Sequence, residues 1–222
     1  MSKRVALITV FLLISQFELF SQNNVPSPFY VSLNIGGFIS AREGFSEVYD
    51  SRLGFSFGGG LGLPLSSQMY LTGRATYFSK SGVPFTYNYH YDRENGDLTG
   101  ITRTKDGSAT YKQWMINGGL EYKIPLSDIL TLYPMAGLTY SKYTEESKSS
   151  DGRLGSTTDA SGMIGYYAGT GLEGKLNAIP LTVFAEAYYN FLRQSLLGIT
   201  GNVGGANLNA GVRYYLGQKK SR

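Results

Sequence analysis

Hydrophobic and polar side chains alternate with period two in eight separate stretches, near 28–40, 53–64, 68–80, 108–123, 129–142, 161–175, 180–192 and 205–216. Period-two alternation puts successive side chains on opposite faces of an extended strand. In the seventh stretch Leu181, Val183, Ala185, Ala187, Tyr189 and Phe191 point one way, and Thr182, Phe184, Glu186, Tyr188 and Asn190 point the other. The last stretch sets Leu208, Ala210, Val212, Tyr214 and Leu216 against Asn207, Asn209, Gly211, Arg213 and Tyr215. Leu71, Gly73, Ala75 and Tyr77 oppose Tyr70, Thr72, Arg74 and Thr76 in the third, and Phe29, Val31, Leu33 and Ile35 oppose Tyr30, Ser32 and Asn34 in the first.

Strands in soluble proteins average about 5 to 6 residues, whereas a tilted membrane-crossing strand needs about 9 to 11. These stretches are long enough to cross. Their polar faces carry Gly, Asn, Thr and isolated charges, unlike the Lys- and Glu-rich surface of a solvated sheet, so the pattern predicts an apolar exterior and a polar interior. Aromatic residues crowd toward strand ends at Tyr77–Phe78, Tyr122, Tyr133, Tyr140, Tyr189 and Tyr214–Tyr215, as two interfacial girdles would require. Connections alternate between long (41–52, 81–107, 143–160, 193–204) and short (Pro64–Ser67, Pro125–Asp128, Leu176–Ile179). Two of the short ones share a Pro-Leu-Ser core and the third leads into Pro180–Leu181. The expected fold is all-β, an eight-stranded antiparallel up-and-down transmembrane β-barrel with both termini on the short-turn, periplasmic side.

The N-terminus adds a location. Lys3 and Arg4 precede the apolar run Val5 to Ile14, and a more polar segment leads to a cleavage site near Ser21 or Gln22. That is the layout of a secretory signal peptide over residues 1–22, leaving 23–222 as the barrel domain. With no cysteine in the chain, a lipid anchor and disulfides are both excluded. The formal charge of +4 falls to +3 once Lys3, Arg4 and Glu18 are removed. That small, dispersed surplus does not fit a nucleic-acid binder. The 29 glycines, 18 tyrosines and 12 phenylalanines favour strands over helices.

The export signal, the eight alternating stretches, the Gly-rich strand interiors and the ending GVRYYLG together resemble the outer-membrane β-barrel domain family, the small OmpX-like and PorT-like barrels above all. The resemblance spans roughly residues 24 to 217 and includes no catalytic motif. It implies residence in outer-membrane lipid and delivery by the barrel-insertion machinery. Gly217 to Arg222 extend past Tyr215 and Leu216, so an assembly signal would be internal here.

Five charged residues fall on the inward face: Arg74, Glu121, Glu173, Glu186 and Arg213. An eight-stranded barrel is narrow enough for side chains to fill, and charges inside it must pair or be hydrated. They form either a structural plug or a narrow ion pathway. In the second long connection Phe85, Tyr87, Tyr89 and Tyr91 alternate ahead of Asn95–Gly96, a type I′ hairpin signal. This predicts a β-ribbon beyond the membrane with its tip near Glu94–Asp97, offering an edge for strand addition by a partner. The third long connection is Ser-, Gly- and charge-rich and reads as a flexible loop. Its Glu145, Glu146, Asp151 and Asp159 match no calcium-loop spacing.

His90, the single histidine, shares a strand face with Asp92 but reads as polar surface, and no zinc set exists. The run at Gly58–Gly60 lacks the Lys-Ser/Thr of a phosphate loop and marks a bend or close packing. No cofactor or metal is expected. The leading functional expectation is a non-enzymatic outer-membrane protein displaying loops for adhesion or for a surface or periplasmic protein partner. The alternatives are a small pore or transport-related barrel, and an accessory component of a secretion or assembly complex.

Overall fold

Tyr, Phe, Val and Ile at alternate positions favour extended backbone because they pack well across a pleated surface. In the computed structural model these stretches form eight antiparallel strands: β1 (Phe29–Ser40), β2 (Leu53–Pro64), β3 (Met69–Gly82), β4 (Ser108–Tyr122), β5 (Leu130–Lys148), β6 (Gly155–Lys175), β7 (Leu181–Phe191) and β8 (Gly205–Leu216). The structure describes residues 28–92, 95–150, 155–176, 181–196 and 199–216. The signal segment 1–22, the end from Gly217, most of the turn at Leu176–Ile179 and the ribbon-tip residue Glu94 lie outside the described residues.

Each strand pairs with the next, and β1 closes on β8 in continuous register from Phe29↔Leu216 to Ser40↔Gly205. Closure removes the free strand edges that an open sheet would present. Two of the short turns are built alike. Ser66 Oγ accepts from the Met69 amide and Ser127 Oγ from the Leu130 amide, each at 3.1 Å.

The barrel is inside out relative to a soluble protein. Leu33, Ile35, Leu138 and Ile164 face outward and are 61–71% exposed, while Tyr30, Arg74, Glu121 and Arg213 face inward and are buried. Every methylene on that outer belt would cost roughly 0.8 kcal/mol in water relative to burial, so a hydrocarbon surround is the environment that stabilises this surface. Gly62 and Gly171 serve the interior. A Cβ at either position would overlap the Tyr30 or the Tyr133 ring, so the missing side chains make room for two lumen tyrosines. Gly58 and Gly60 likewise leave no room for a Cβ against the β3 backbone, a close approach and not a phosphate cradle.

Three departures from the sequence pattern stand out. Phe78, Tyr133 and Tyr215 belong to the lumen, at 0%, 0% and 7% exposure, and not to outer girdles. Their position number, not their nearness to a strand end, decides the face. The third long connection is not a loose loop. β5 and β6 run on for 19 and 21 residues and pair from Tyr143↔Ala160 to Lys148↔Gly155 beyond a bulge, because exposed strands tolerate Ser, Thr and charge on both faces. Finally, the first long connection folds a short helix, α1 (Phe45–Tyr49), whose Phe45 and Tyr49 are 2% exposed and cap the barrel mouth.

Candidate functional site

The lumen is filled in three layers. At the turn end, strand parity carries Arg74 (β3), Glu121 (β4), Glu173 (β6), Glu186 (β7) and Arg213 (β8) to one level. Arg213 donates to Glu121 at 2.9 and 3.2 Å and to Glu173 at 2.7 Å. Arg74 donates to Glu121 at 2.7 Å, and Glu186 sits 3.8 and 3.7 Å from Arg74 and Arg213. A sixth member, Lys123, donates to Glu173 at 2.7 Å and to the Tyr215 hydroxyl. It balances three cations against three carboxylates. Lys123 shares the parity of Glu121, two residues earlier, and that signal was available in the sequence. Tyr30 donates to Glu121 at 3.1 Å and Tyr215 to Glu173 at 2.9 Å. The Lys123 ammonium lies 4.7 Å from the Tyr70 and Tyr215 ring centres, and the Arg213 guanidinium 4.2 Å from that of Tyr133. Charge balance, these hydrogen bonds and the aromatic faces offset the cost of burial, although Arg74 Nη1, Arg213 Nε and Glu186 Oε1 are buried without a hydrogen-bond partner among the described residues.

The middle layer is polar, with Asn34, Asn117, Asn207 and Asn209 all buried. The loop-end layer is apolar. Phe38, Phe78, Tyr111, Met115, Tyr143, Met163 and Leu192 pack with Phe45 and Tyr49 of α1 into one cluster, and between Tyr111 and Met115 on β4 Gln113 Nε2 donates to Ser141 and to the Val203 carbonyl at 3.0 and 3.2 Å.

Polar contacts pin α1 in place. Glu145 accepts from both Arg42 and Tyr49 at 2.7 Å. Burial disfavours the Arg42 charge, but the Glu145 carboxylate outweighs it and lifts the guanidinium above its ordinary range. Burial pushes the Tyr49 hydroxyl up, reinforced by its bond to Glu145.

Beyond the rim, Phe85–Tyr91 pairs with Leu98–Lys105 as a separate two-stranded ribbon. The ribbon ties to α1 through Arg103–Glu47 and through Lys105 to Asp50 at 2.7 Å. The hydrogen bond from Lys105 holds the Asp50 carboxyl below its usual value. The Arg103 guanidinium also lies 3.5 Å from the Phe85 ring centre. A cavity of about 330 Å³ opens between α1, the ribbon root and Glu145.

No family model and no curated protein matches the sequence. Among solved structures, Neisserial surface protein A aligns with a TM-score of 0.54 at 17% identity, over 84% of this chain and 96% of that one. Ail, the attachment invasion locus protein of Yersinia pestis, gives 0.44 at 14% over 86% and 100%. The outer membrane protease OmpT from Escherichia coli gives 0.48 at 10% over 86% and 97%. The fold is that of a small outer-membrane barrel.

Within this barrel the sequence-derived residues separate into two groups. Arg74, Glu121, Glu173, Glu186 and Arg213 meet in one network at the turn end. Phe85, Tyr87, Tyr89 and Tyr91 share one ribbon strand above the opposite end, with Tyr87, Tyr89 and Tyr91 exposed. The ribbon connection is longer than a two-residue I′ turn. Asp92 donates to the Asp97 carbonyl at 2.8 Å and Gly96 donates to that of Asp92 at 3.0 Å, with Asn95 Oδ1 accepting from the Asp97 amide. His90 sits on the ribbon with its ring 2.7 Å from the Thr102 hydroxyl. Glu145 is taken by Arg42 and Tyr49, and Asp159 accepts from Thr144 at 2.6 Å. Among the described residues no group of three or more acidic or His side chains is placed to hold a metal. Asp151 lies outside them. Sequence reasoning missed α1, although Phe45 and Tyr49 carry the i, i+4 spacing of one helical face.

Proposed function

We propose that this protein is a non-enzymatic outer-membrane anchor that presents its ribbon to a protein partner. On this reading residues 1–22 direct export, the insertion machinery places 23–222 in the membrane, and both mature termini are periplasmic. The loop end with its ribbon then faces outward. The observation that carries the reading is the ribbon's exposed apolar face. Tyr87, Tyr89, Tyr91, Leu98 and Ile101 are 51–61% exposed on an element that stands clear of the lipid belt. Large apolar groups that neither lipid nor core covers mark an interaction surface. The two outer edges of the ribbon also remain open for strand addition.

Photo-crosslinking in intact cells tests this. A crosslinker at Tyr91 should give one dominant protein adduct that the change Tyr89→Ser with Ile101→Thr abolishes, while one at the lipid-facing Tyr140 should give none. A Tyr91 position without any protein adduct would refute partner display. A small pore is the second reading. It is favoured by the buried Asn34, Asn117 and Asn207 side chains, which hold polar atoms lacking a protein partner, as a hydrated passage would. Planar-bilayer recording separates the two: the anchor reading expects no sustained conductance steps, the pore reading expects them.

A further inference from the structure

We propose that the outer wall of β4 and β5 near the loop end is a site for the phosphorylated headgroup of a membrane lipid, gripped by Lys112 and Lys142. The distribution of charge on the barrel exterior singles out this place. Along the outward faces of β1, β2, β3, β7 and β8 no charged residue occurs; the positions hold apolar residues, Gly, Ser or Tyr. On β4 and β5 the outward positions instead carry Lys112, Lys142, Glu146 and Lys148, with Asp159 beside them on the β6 extension, bonded to Thr144.

The register sets the geometry. Phe57 pairs with Tyr77, Tyr77 with Trp114, and Trp114 with Lys142, so one cross-strand row runs through three aromatic rings and ends on an ammonium group. The rings form a real cluster, with centroids 5.3 Å apart for Phe57–Tyr77 and 4.8 Å for Tyr77–Trp114. Tyr and Trp on a lipid-facing wall mark the headgroup boundary, where the ring is apolar and its polar edge is wet. Lys112 pairs with Thr144, the next outward row on, which makes Lys112 and Lys142 diagonal neighbours on the same face, about 7–8 Å apart at the backbone. Flexible stems let two such ammonium groups converge on one phosphate. Ser79, outward and opposite Lys112 in the register, adds a hydroxyl.

Lys142 is exposed and has no hydrogen-bond or ion-pair partner among the described residues. Lys112 meets Glu146 only at 3.7 Å, a half-exposed pair worth little. The occupant is a lipid because the surface below these lysines is the hydrocarbon-facing belt. It is a phosphorylated lipid because two cations stand where the neighbouring strands present none.

Native mass spectrometry of the full barrel in detergent micelles tests the proposal. The probes are a diphosphorylated glycolipid, the same glycolipid without phosphate, and inorganic phosphate. Each juxtamembrane lysine contributes about 1 kcal/mol toward an anionic surface. Lys142→Gln should therefore weaken binding of the diphosphorylated lipid roughly fivefold, and Lys112→Gln with Lys142→Gln roughly thirtyfold. Lys175→Gln at the turn end should leave it unchanged. Heat-modifiable gel mobility verifies that each variant is folded. Equal retention by wild type and the double variant would overturn the proposal, as would equal retention of the phosphate-free lipid. Displacement of the lipid by inorganic phosphate at equal concentration would show a free-ion site instead and overturn it too. These substitutions leave the ribbon intact, so partner display stands or falls separately.

Discussion

Replacing Arg213 by methionine tests the idea that the turn-end network is a neutral, mutually dependent unit. Arg213 is 1% exposed and makes three hydrogen bonds of 3.2 Å or less to Glu121 and Glu173. At about 1.5–3 kcal/mol for each charged bond the naive sum reaches roughly 5–9 kcal/mol. That overshoots, because removing the cation also cancels its own desolvation cost. What persists is one uncompensated carboxylate among Glu121, Glu173 and Glu186, and orphaning a buried charge costs about 3–5 kcal/mol. We expect Arg213→Met to destabilise the barrel by that amount. Adding Glu173→Gln restores the balance at two cations and two carboxylates and should recover more than half of the loss. Equilibrium urea unfolding in lipid vesicles reads both, using the emission of Trp114, the single tryptophan, which moves from lipid to water on unfolding. A loss under about 1 kcal/mol for the single variant, or a double variant no more stable than the single, would refute the reasoning.

Other expectations concern packing, the cap and the ribbon. Gly171→Ala should cost about 1–3 kcal/mol by driving a Cβ into the Tyr133 ring, while Gly118→Ala, where a Cβ meets nothing within 4 Å, should be neutral in the same unfolding assay. Glu145→Gln weakens the bonds from Arg42 and Tyr49, so protease cleavage within 42–50 should accelerate roughly tenfold if about 1.4 kcal/mol of anchoring is lost. Asp50 has a depressed carboxyl pKa, so its contact with Lys105 is fully formed above the ordinary value of 3.8 and disappears only as pH falls through the lower folded value. A carboxyl-carbon NMR titration should place its midpoint below 3.8, and Lys105→Gln should raise it; a wild-type midpoint at or above 3.8 would count against the contact.

Much of the barrel was legible because a closed, two-faced strand must alternate. From Tyr30 through Arg213, parity alone sorted lumen from lipid, and it carried five of the six network charges. Lys123 escaped notice although it closes the fourth stretch, 108–123, on the parity of Glu121, because a lysine at the last position of a stretch reads as a turn residue facing water. Phe78, Tyr133 and Tyr215 were also counted toward the girdles, although parity had already set Tyr215 on the face of Arg213, because aromatic residues near strand ends suit either a girdle or a lumen, and composition cannot tell the two apart. The extended β5–β6 hairpin was hidden by its Ser, Gly and charge content, since past Tyr143 it leaves the core cluster and its strands carry polar residues on both faces. Five-residue α1 offers too short a period to detect, and its capping role depends on Glu145, some hundred residues away.

The pairing of β1 with β8 bears on how the molecule is made. Arg213 and Tyr215 reside on the final strand, and Glu121 lies 92 residues before Arg213. Until that strand docks, Arg74 and Lys123 face three carboxylates, and a half-assembled sheet carries a surplus negative charge as well as two raw edges. Arrival of the last strand cancels both defects in one step. The network thus doubles as an arithmetic check on completeness: a chain truncated before Arg213 is one positive charge short and leaves both sheet edges unpaired.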